Sequence, residues 1–143
     1  MKRNQDVGLD EFNGYTGTRY YIPFPHIVQN VLLERQYQYL IPTYIRLADY
    51  YDPSNYLKGV FPSQKTIGEK IGKRREIVNQ HIQTLETLYC SDGLPLLLKK
   101  SETLDIDKKR NRYRLPHIEA SFQQSNKMIS DLKKNKDMWI WGN

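Results

Sequence analysis

Hydrophobic residues recur along the chain in runs with helical spacing, and short polar or glycine-bearing segments separate these runs. The first clear run has three- and four-residue steps and consists of Ile41, Tyr44, Ile45, Ala48 and Tyr51. It predicts an amphipathic helix over about residues 37–51, with Pro42 near its first turn, where proline is tolerated. The preceding segment, Ile27–Leu33, fits either a helix or a strand.

Two further helices are predicted on either side of a glycine turn. Ile67 and Ile71 share one face of the first helix, Ser63 can cap its start, and Gly72 can end it in the left-handed conformation. Gly68 lies between the two isoleucines, where a missing side chain permits close contact with another helix. The second helix is predicted over about residues 74–88, with an apolar stripe formed by Val78, Ile82, Leu85 and Leu88.

The next segment predicts a β-hairpin. Leu94–Lys100 and Asn111–Leu115 are the two predicted strands. Because Tyr113 alternates with Arg112 and Arg114 in the second strand, we expect the two arginines to face outward. The charged connection, residues 101–110, is too long for a tight turn and predicts an exposed, flexible loop. The fold class is therefore mostly α with a small β-hairpin (α+β).

The two ends of the chain differ from this central part, residues 19–116. Residues 1–18 are polar and aperiodic, which is typical of a mobile tail, and Arg19–Ile22 could form a short edge strand. Residues 117–143 form a separate piece that begins with a predicted amphipathic helix. Its apolar face would consist of Ile118, Phe122, Ser125, Ile129 and Leu132. Two alternatives remain for Trp139 and Trp141: packing on the domain surface, or docking to a partner.

Composition excludes several classes of protein. The 143 residues suit one domain, and no apolar run approaches the ~20 residues of a membrane span. Cys90 is the only cysteine and no secretory signal is apparent, so we expect a cytoplasmic protein that does not act at a membrane. His26, His81 and His117 lack metal-ligand spacing, and no phosphate-binding loop is present. We therefore expect neither catalytic residues nor a metal site nor a cofactor.

Net charge is concentrated in one part of the chain. The segment from Lys58 to Arg114 holds 13 Lys/Arg and 7 Asp/Glu, which accounts for the whole net charge of +6. Such localised charge is typical of a protein that binds a polyanion. The alternative is a generic solvated basic surface.

Several of these stretches, taken in order, resemble the winged helix-turn-helix family. Within this family, the chain resembles the N-terminal DNA-binding domains of phage and plasmid replication proteins from low-GC Gram-positive bacteria. The resemblance covers roughly residues 38–116. The matching stretches are Phe61-Pro62-Ser63, Thr66 to Gly72, Arg75, Val78-Asn79, His81-Ile82, Leu85-Glu86 and Asn111-Arg112-Tyr113-Arg114-Leu115. The chain departs from the family in having Lys73 and Arg74 after the turn glycine, so the usual capping hydroxyl is absent.

The resemblance implies a set of DNA-contacting residues. The recognition helix would supply Lys73, Arg74, Arg75, Glu76, Asn79, Gln80 and Gln83. Phosphate contacts at the start of the preceding helix would come from Ser63, Lys65 and Thr66. The wing would supply Lys99, Lys100, Lys108, Lys109, Arg110 and Arg112.

The resemblance also implies partners and leaves roles open. Double-stranded DNA is the expected ligand, most simply in phage or plasmid replication initiation, where a replication or partition protein could be a partner. Transcriptional repression and plasmid partition use the same architecture and remain alternatives. A homodimer through the C-terminal helix would enlarge the footprint on DNA. Winged helices also serve as protein-docking modules, which is the alternative from another class.

Overall fold

The structure, a computed structural model, describes residues 22–132, 139 and 141–142. These residues form six α-helices and one antiparallel hairpin, which confirms an α+β fold. The helices are α1 (His26–Leu32), α2 (Ile41–Ala48), α3 (Gln64–Ile71), α4 (Arg75–Thr87), α5 (Pro116–Ser121) and α6 (Asn126–Leu132). The strands are β1 (Leu98–Asp105) and β2 (Lys108–Arg114). The predicted tail, residues 1–18, and most of the predicted edge strand lie outside the described residues.

Helices α2, α3 and α4 pack against one another and enclose the main core. Core side chains that are fully buried include Leu32, Leu40, Leu47, Ile67, Val78, Ile82 and Leu85. The predicted apolar stripes of α3 and α4 are therefore confirmed, whereas Ile45 on α2 is 38% exposed. The ambiguous segment before α2 is helical. The helix predicted over 37–51 starts late, because a 3-10 helix, Arg35–Leu40, precedes α2 and Pro42 lies in the first turn of α2.

The turn between α3 and α4 follows the sequence prediction closely. Ser63 caps α3 by accepting a hydrogen bond from the Thr66 backbone N–H at 3.0 Å, and Gly72 ends it with φ 71°. A Cβ on Gly68 would collide with the carbonyl oxygen of Lys73 and touch Val78. Gly68 therefore permits the close approach of α4 that the sequence suggested.

The hairpin is tighter than expected, so the prediction of a long flexible loop was wrong. Strand β1 continues to Asp105 and β2 starts at Lys108, which leaves a two-residue turn. Charged side chains pair across the strands, as Glu102 does with Arg110, so the ladder extends without a hydrophobic core. On its other side β2 pairs with Val60, which exchanges two 2.8 Å backbone hydrogen bonds with Tyr113.

Residues 116–132 form two helices where a single amphipathic helix was predicted. Gln123 and Ser125, between α5 and α6, both have positive φ, of 57° and 62°. Two residues of the expected apolar face point inward: Ile118 is buried in the main core and Phe122 packs against it. The C-terminal segment therefore shares the core of the domain. The predicted homodimer through the C-terminal helix remains a prediction.

Candidate nucleic-acid interface

The start of α4 is an exposed cluster of positive charge. Lys73, Arg74 and Arg75 are all exposed, and none forms an ion pair with a residue that the structure describes. No side chain caps the helix at Arg74, as the sequence predicted, so its first backbone N–H groups lack a side-chain acceptor. Because unpaired N–H groups and the helix dipole both favour an anion, this end of α4 suits a phosphate.

One face of α4 presents polar groups beyond this basic start. Glu76, Gln80 and Gln83 are exposed, whereas Asn79 is half-buried and its side-chain oxygen accepts a 2.9 Å hydrogen bond from Gln64. That bond fixes the orientation of the Asn79 amide. Three exposed polar side chains and one fixed amide can together form hydrogen bonds with base edges in a major groove.

A cleft of about 390 Å³ separates the start of α3 and α4 from the hairpin. Its charged lining residues come from three distant segments: Lys65 on α3, Arg75 on α4, and Lys109 and Arg110 on β2. Ser63 also lines it, whereas the other predicted contacts lie outside its lining. The fold therefore brings predicted phosphate, recognition-helix and wing residues into one basic cleft.

Five lining residues of this cleft were not predicted as DNA contacts: Phe61, Pro62, Gln64, Asn111 and Tyr113. Phe61 is 40% exposed and its ring lies 4.7 Å from the guanidinium carbon of Arg110 and 5.3 Å from the Lys58 ammonium. An aromatic residue two positions before the Ser63 cap, within a basic segment, was the available signal. In the structure its ring positions Arg110 at the wall of the cleft.

Other predicted wing residues occupy different environments. Lys100, Lys108 and Lys109 are exposed, whereas Lys99 is half-buried with its ammonium 3.5 Å from a Glu86 carboxylate oxygen on α4. Arg110 lies 2.5 Å from Glu102, and its hydrogen bond is the main reason that the pKa of Glu102 is lowered. Two cationic side chains of the hairpin, Lys99 and Arg110, therefore form ion pairs within the protein.

The prediction that Arg112 contacts DNA from the wing was wrong. Arg112 is only 3% exposed and does not reach the outer face of the hairpin. Its Nε lies 2.9 Å from Glu102, and its guanidinium donates to the backbone carbonyls of Lys58 and Gly142. Trp141 stacks over it at 5.5 Å. Arg112 therefore joins the hairpin to the C-terminal segment.

Arg114, also expected to face outward, is fully buried. Its Nε and Nη2 donate to the two carboxylate oxygens of Glu119 at 2.6 and 2.7 Å, and its guanidinium lies 4.8 Å from the Trp139 ring. Trp139 is itself 6% exposed. Of the two alternatives for this tryptophan, packing on the domain is the one observed.

His81 has a structural role on α4. The ring is 6% exposed, and its Nδ1 lies 2.7 Å from the Thr43 hydroxyl on α2. Burial is the main cause that lowers the pKa of His81, and the nearby Lys73 ammonium lowers it further. His81 therefore joins α4 to α2.

Comparison with known proteins gives no independent assignment: no family model, no curated protein and no solved structure matches the chain. Within the described part of the chain, no helix has the length and apolar character needed to cross a membrane.

Proposed function

We propose that the chain is a winged helix-turn-helix protein that binds double-stranded DNA with sequence specificity. The observation that carries this proposal is the basic cleft, where Lys65, Arg75, Lys109 and Arg110 converge from three segments. A single acidic ligand that touched all four would have to span the junction between α4 and the hairpin. Duplex DNA has that form, because a groove that receives α4 leaves its phosphate backbone beside the wing.

The contacts divide by type. Lys65, Lys73 and Arg74 hold phosphates, assisted by the backbone N–H groups at the start of α4. Arg75, at the first position of α4, reaches a guanine edge or an adjacent phosphate. Specificity comes from the exposed polar face of α4, where Gln80 and Gln83 suit adenine and Glu76 accepts from cytosine. The lysines of the hairpin follow the neighbouring backbone.

Replication initiation in a phage or plasmid is the role that the family resemblance favours. Repression and partition use the same contacts with DNA, so the location of the target distinguishes them. Fragments selected from random DNA and from a native replicon should identify the site. Iterated repeats near an origin would support replication or partition, whereas a promoter operator would support repression.

Binding of the selected duplex is then measured by fluorescence anisotropy against a scrambled duplex of equal length. We expect tighter binding to the selected duplex and, for about five neutralised phosphates, a log–log salt slope near −4 to −5. Equal affinity for both duplexes, or an affinity independent of salt, would refute the proposal.

A protein-docking module is the second candidate, and the tip of the hairpin favours it. Leu104 is 55% exposed and Ile106 is 90% exposed, which leaves two aliphatic side chains in solvent. Such exposed groups often contact a partner protein. Recovery of a partner from nuclease-treated extract, together with no gel shift on any DNA, would support docking over DNA binding.

A further inference from the structure

A compact cluster lies beyond the C-terminal end of α4, at the opposite end of the helix from its basic start. It consists of Cys90, Asp92 and His117. Cys90 and Asp92 lie in the loop after α4, and His117 is the second residue of α5. Their potential ligand atoms all lie within 4.8 Å of one another. His117 Nε2 lies 2.9 Å from one carboxylate oxygen of Asp92 and 3.2 Å from the other. Distant sequence positions thus converge on one point.

The backbone holds this cluster in place. The Gly93 N–H donates to the Cys90 carbonyl at 2.9 Å, and the Cys90 N–H donates to the Leu94 carbonyl at 3.0 Å. Gly93 has φ 85°, the left-handed conformation that allows so tight a turn. The Leu94 N–H donates to Asp92 Oδ1 at 3.0 Å, which orients the carboxylate. The loop therefore fixes two of the three side chains before any ligand arrives.

A thiol, an imidazole and a carboxylate together are a characteristic ligand set for Zn²⁺. A thiolate and a carboxylate neutralise a divalent cation, so a loaded site carries no net charge, as burial requires. Sulfur disfavours Mg²⁺ and Ca²⁺. We propose that Cys90 Sγ, an Asp92 carboxylate oxygen and His117 Nε2 bind a zinc-class divalent ion, with solvent as the fourth ligand.

The geometry needs only a small adjustment. Ligand atoms around a tetrahedral zinc ion are about 3.3–3.7 Å apart. No pair here therefore closes by more than about 1.5 Å, and the 2.9 Å pair of His117 and Asp92 opens slightly. Cys90 and His117 are 5% and 4% exposed, whereas the Asp92 side chain is 24% exposed. Solvent therefore reaches the site from the Asp92 side and can supply the fourth ligand.

Binding of the metal ion releases one proton, which comes from the Cys90 thiol. The Cys90 S–H, which contacts the Ile27 carbonyl at 3.4 Å, releases its proton to solvent and the sulfur bonds to the metal. The ion takes the Nε2 lone pair of His117, so the ring proton that Nε2 donates to Asp92 in the metal-free protein passes to Nδ1. Nδ1 has no hydrogen-bond partner among the described residues, so moving the ring proton to Nδ1 breaks no hydrogen bond at that atom. The ion then links the loop after α4 to the start of α5.

Cobalt titration of chelator-treated, full-length protein tests the site. We expect one Co²⁺ per chain, visible bands of a four-coordinate ion, a near-ultraviolet thiolate-to-cobalt band, and loss of these signals when Zn²⁺ displaces the cobalt. Zn²⁺ should also raise the melting temperature. These readouts are independent of DNA, so their failure leaves the proposed function untouched.

Variants distinguish this site from adventitious binding. Cys90→Ser should abolish the thiolate band, and Asp92→Asn should weaken Co²⁺ binding about tenfold or more, since it keeps the side-chain shape and loses the charge. His26→Ala, at an exposed histidine outside the cluster, is the matched control and should bind as wild type. Circular dichroism confirms that each variant folds. A titration without the thiolate band, or Asp92→Asn binding as tightly as wild type, would overturn the proposal.

Discussion

Two parts of the basic segment, the start of α4 and the end of β2, place arginines in opposite environments. Arg74 and Arg75 at the start of α4 are exposed and form no ion pair with any described residue, whereas Arg112 and Arg114 on β2 are 3% and 0% exposed. Residues of one type and charge therefore do two different things. The first pair is available to a ligand, and the second pair joins the hairpin to the C-terminal part of the chain.

The largest effect is expected from the buried pair. Arg114→Met leaves the Glu119 carboxylate, which is 1% exposed, without its cation. Loss of one partner of a buried ion pair costs about 3–5 kcal/mol, so the free energy of unfolding should fall by about that amount in urea denaturation. In the variant, Glu119 keeps the 2.6 Å hydrogen bond that it accepts from Ser125, but this neutral donor does not compensate the buried negative charge.

Two controls make this result specific. Lys100→Met removes an exposed charge from the other strand and should change stability by less than about 0.5 kcal/mol. The double variant Arg114→Met with Glu119→Leu should recover much of the loss, because it removes the stranded carboxylate. A small effect of Arg114→Met alone would contradict a structural role for this arginine.

Local rules predicted the helical part of the fold well. The stripes of α3 and α4, the Ser63 cap, the Gly72 terminus and the close approach at Gly68 all depend on neighbours within a few residues. The predicted bounds of α2 were less accurate, because tertiary packing decides where a 3-10 turn becomes an α-helix.

Features that depend on distant contacts were the ones missed. Alternation along β2 predicts outward arginines only if nothing covers that face, and Trp139 and Trp141 cover it. The break between α5 and α6 follows from contacts of Ser125 with Glu119 and Arg114, which spacing alone does not reveal. The basic cleft likewise combines three segments, so only its separate parts could be predicted.

An intermediate effect is expected from the exposed pair. Arg74→Ala with Arg75→Ala should weaken binding to the selected duplex about tenfold or more and make the salt slope shallower by about 1–2, because two cationic contacts are lost. Stability should change by less than about 0.5 kcal/mol, since both side chains are exposed. Anisotropy and urea denaturation on the same preparation measure the two quantities.

A matched control removes equal charge elsewhere. Arg35→Ala with Lys127→Ala takes two exposed cations from positions that neither line the cleft nor lie on α3 or α4. Its affinity should stay within about threefold of wild type, as expected for screened, distant charges. Equal losses in both double variants would mean that net charge, and not the start of α4, governs binding.

The smallest expected effect is a pH dependence of stability that comes from His81, a buried residue next to the exposed Lys73. Burial and Lys73 lower its pKa, so the folded state favours the neutral ring more than the unfolded state does. The resulting stability is present above the ordinary pKa of 6.5 and is lost as the pH falls through the folded pKa. Urea denaturation from pH 7.5 to 5 should show this loss in wild type, and His81→Gln should reduce it, whereas His26→Gln should not.

The pKa of His81 also tests whether the exposed charge of Lys73 acts on the buried ring. Lys73→Gln removes the second cause of the shift, so NMR titration should find the His81 pKa raised toward its ordinary value but still below it, because burial remains. Arg35→Gln, which removes an exposed cation outside the turn, should leave that pKa unchanged. An unchanged pKa in Lys73→Gln would mean that the basic start of α4 has no electrostatic influence on the core, and that burial alone keeps His81 neutral.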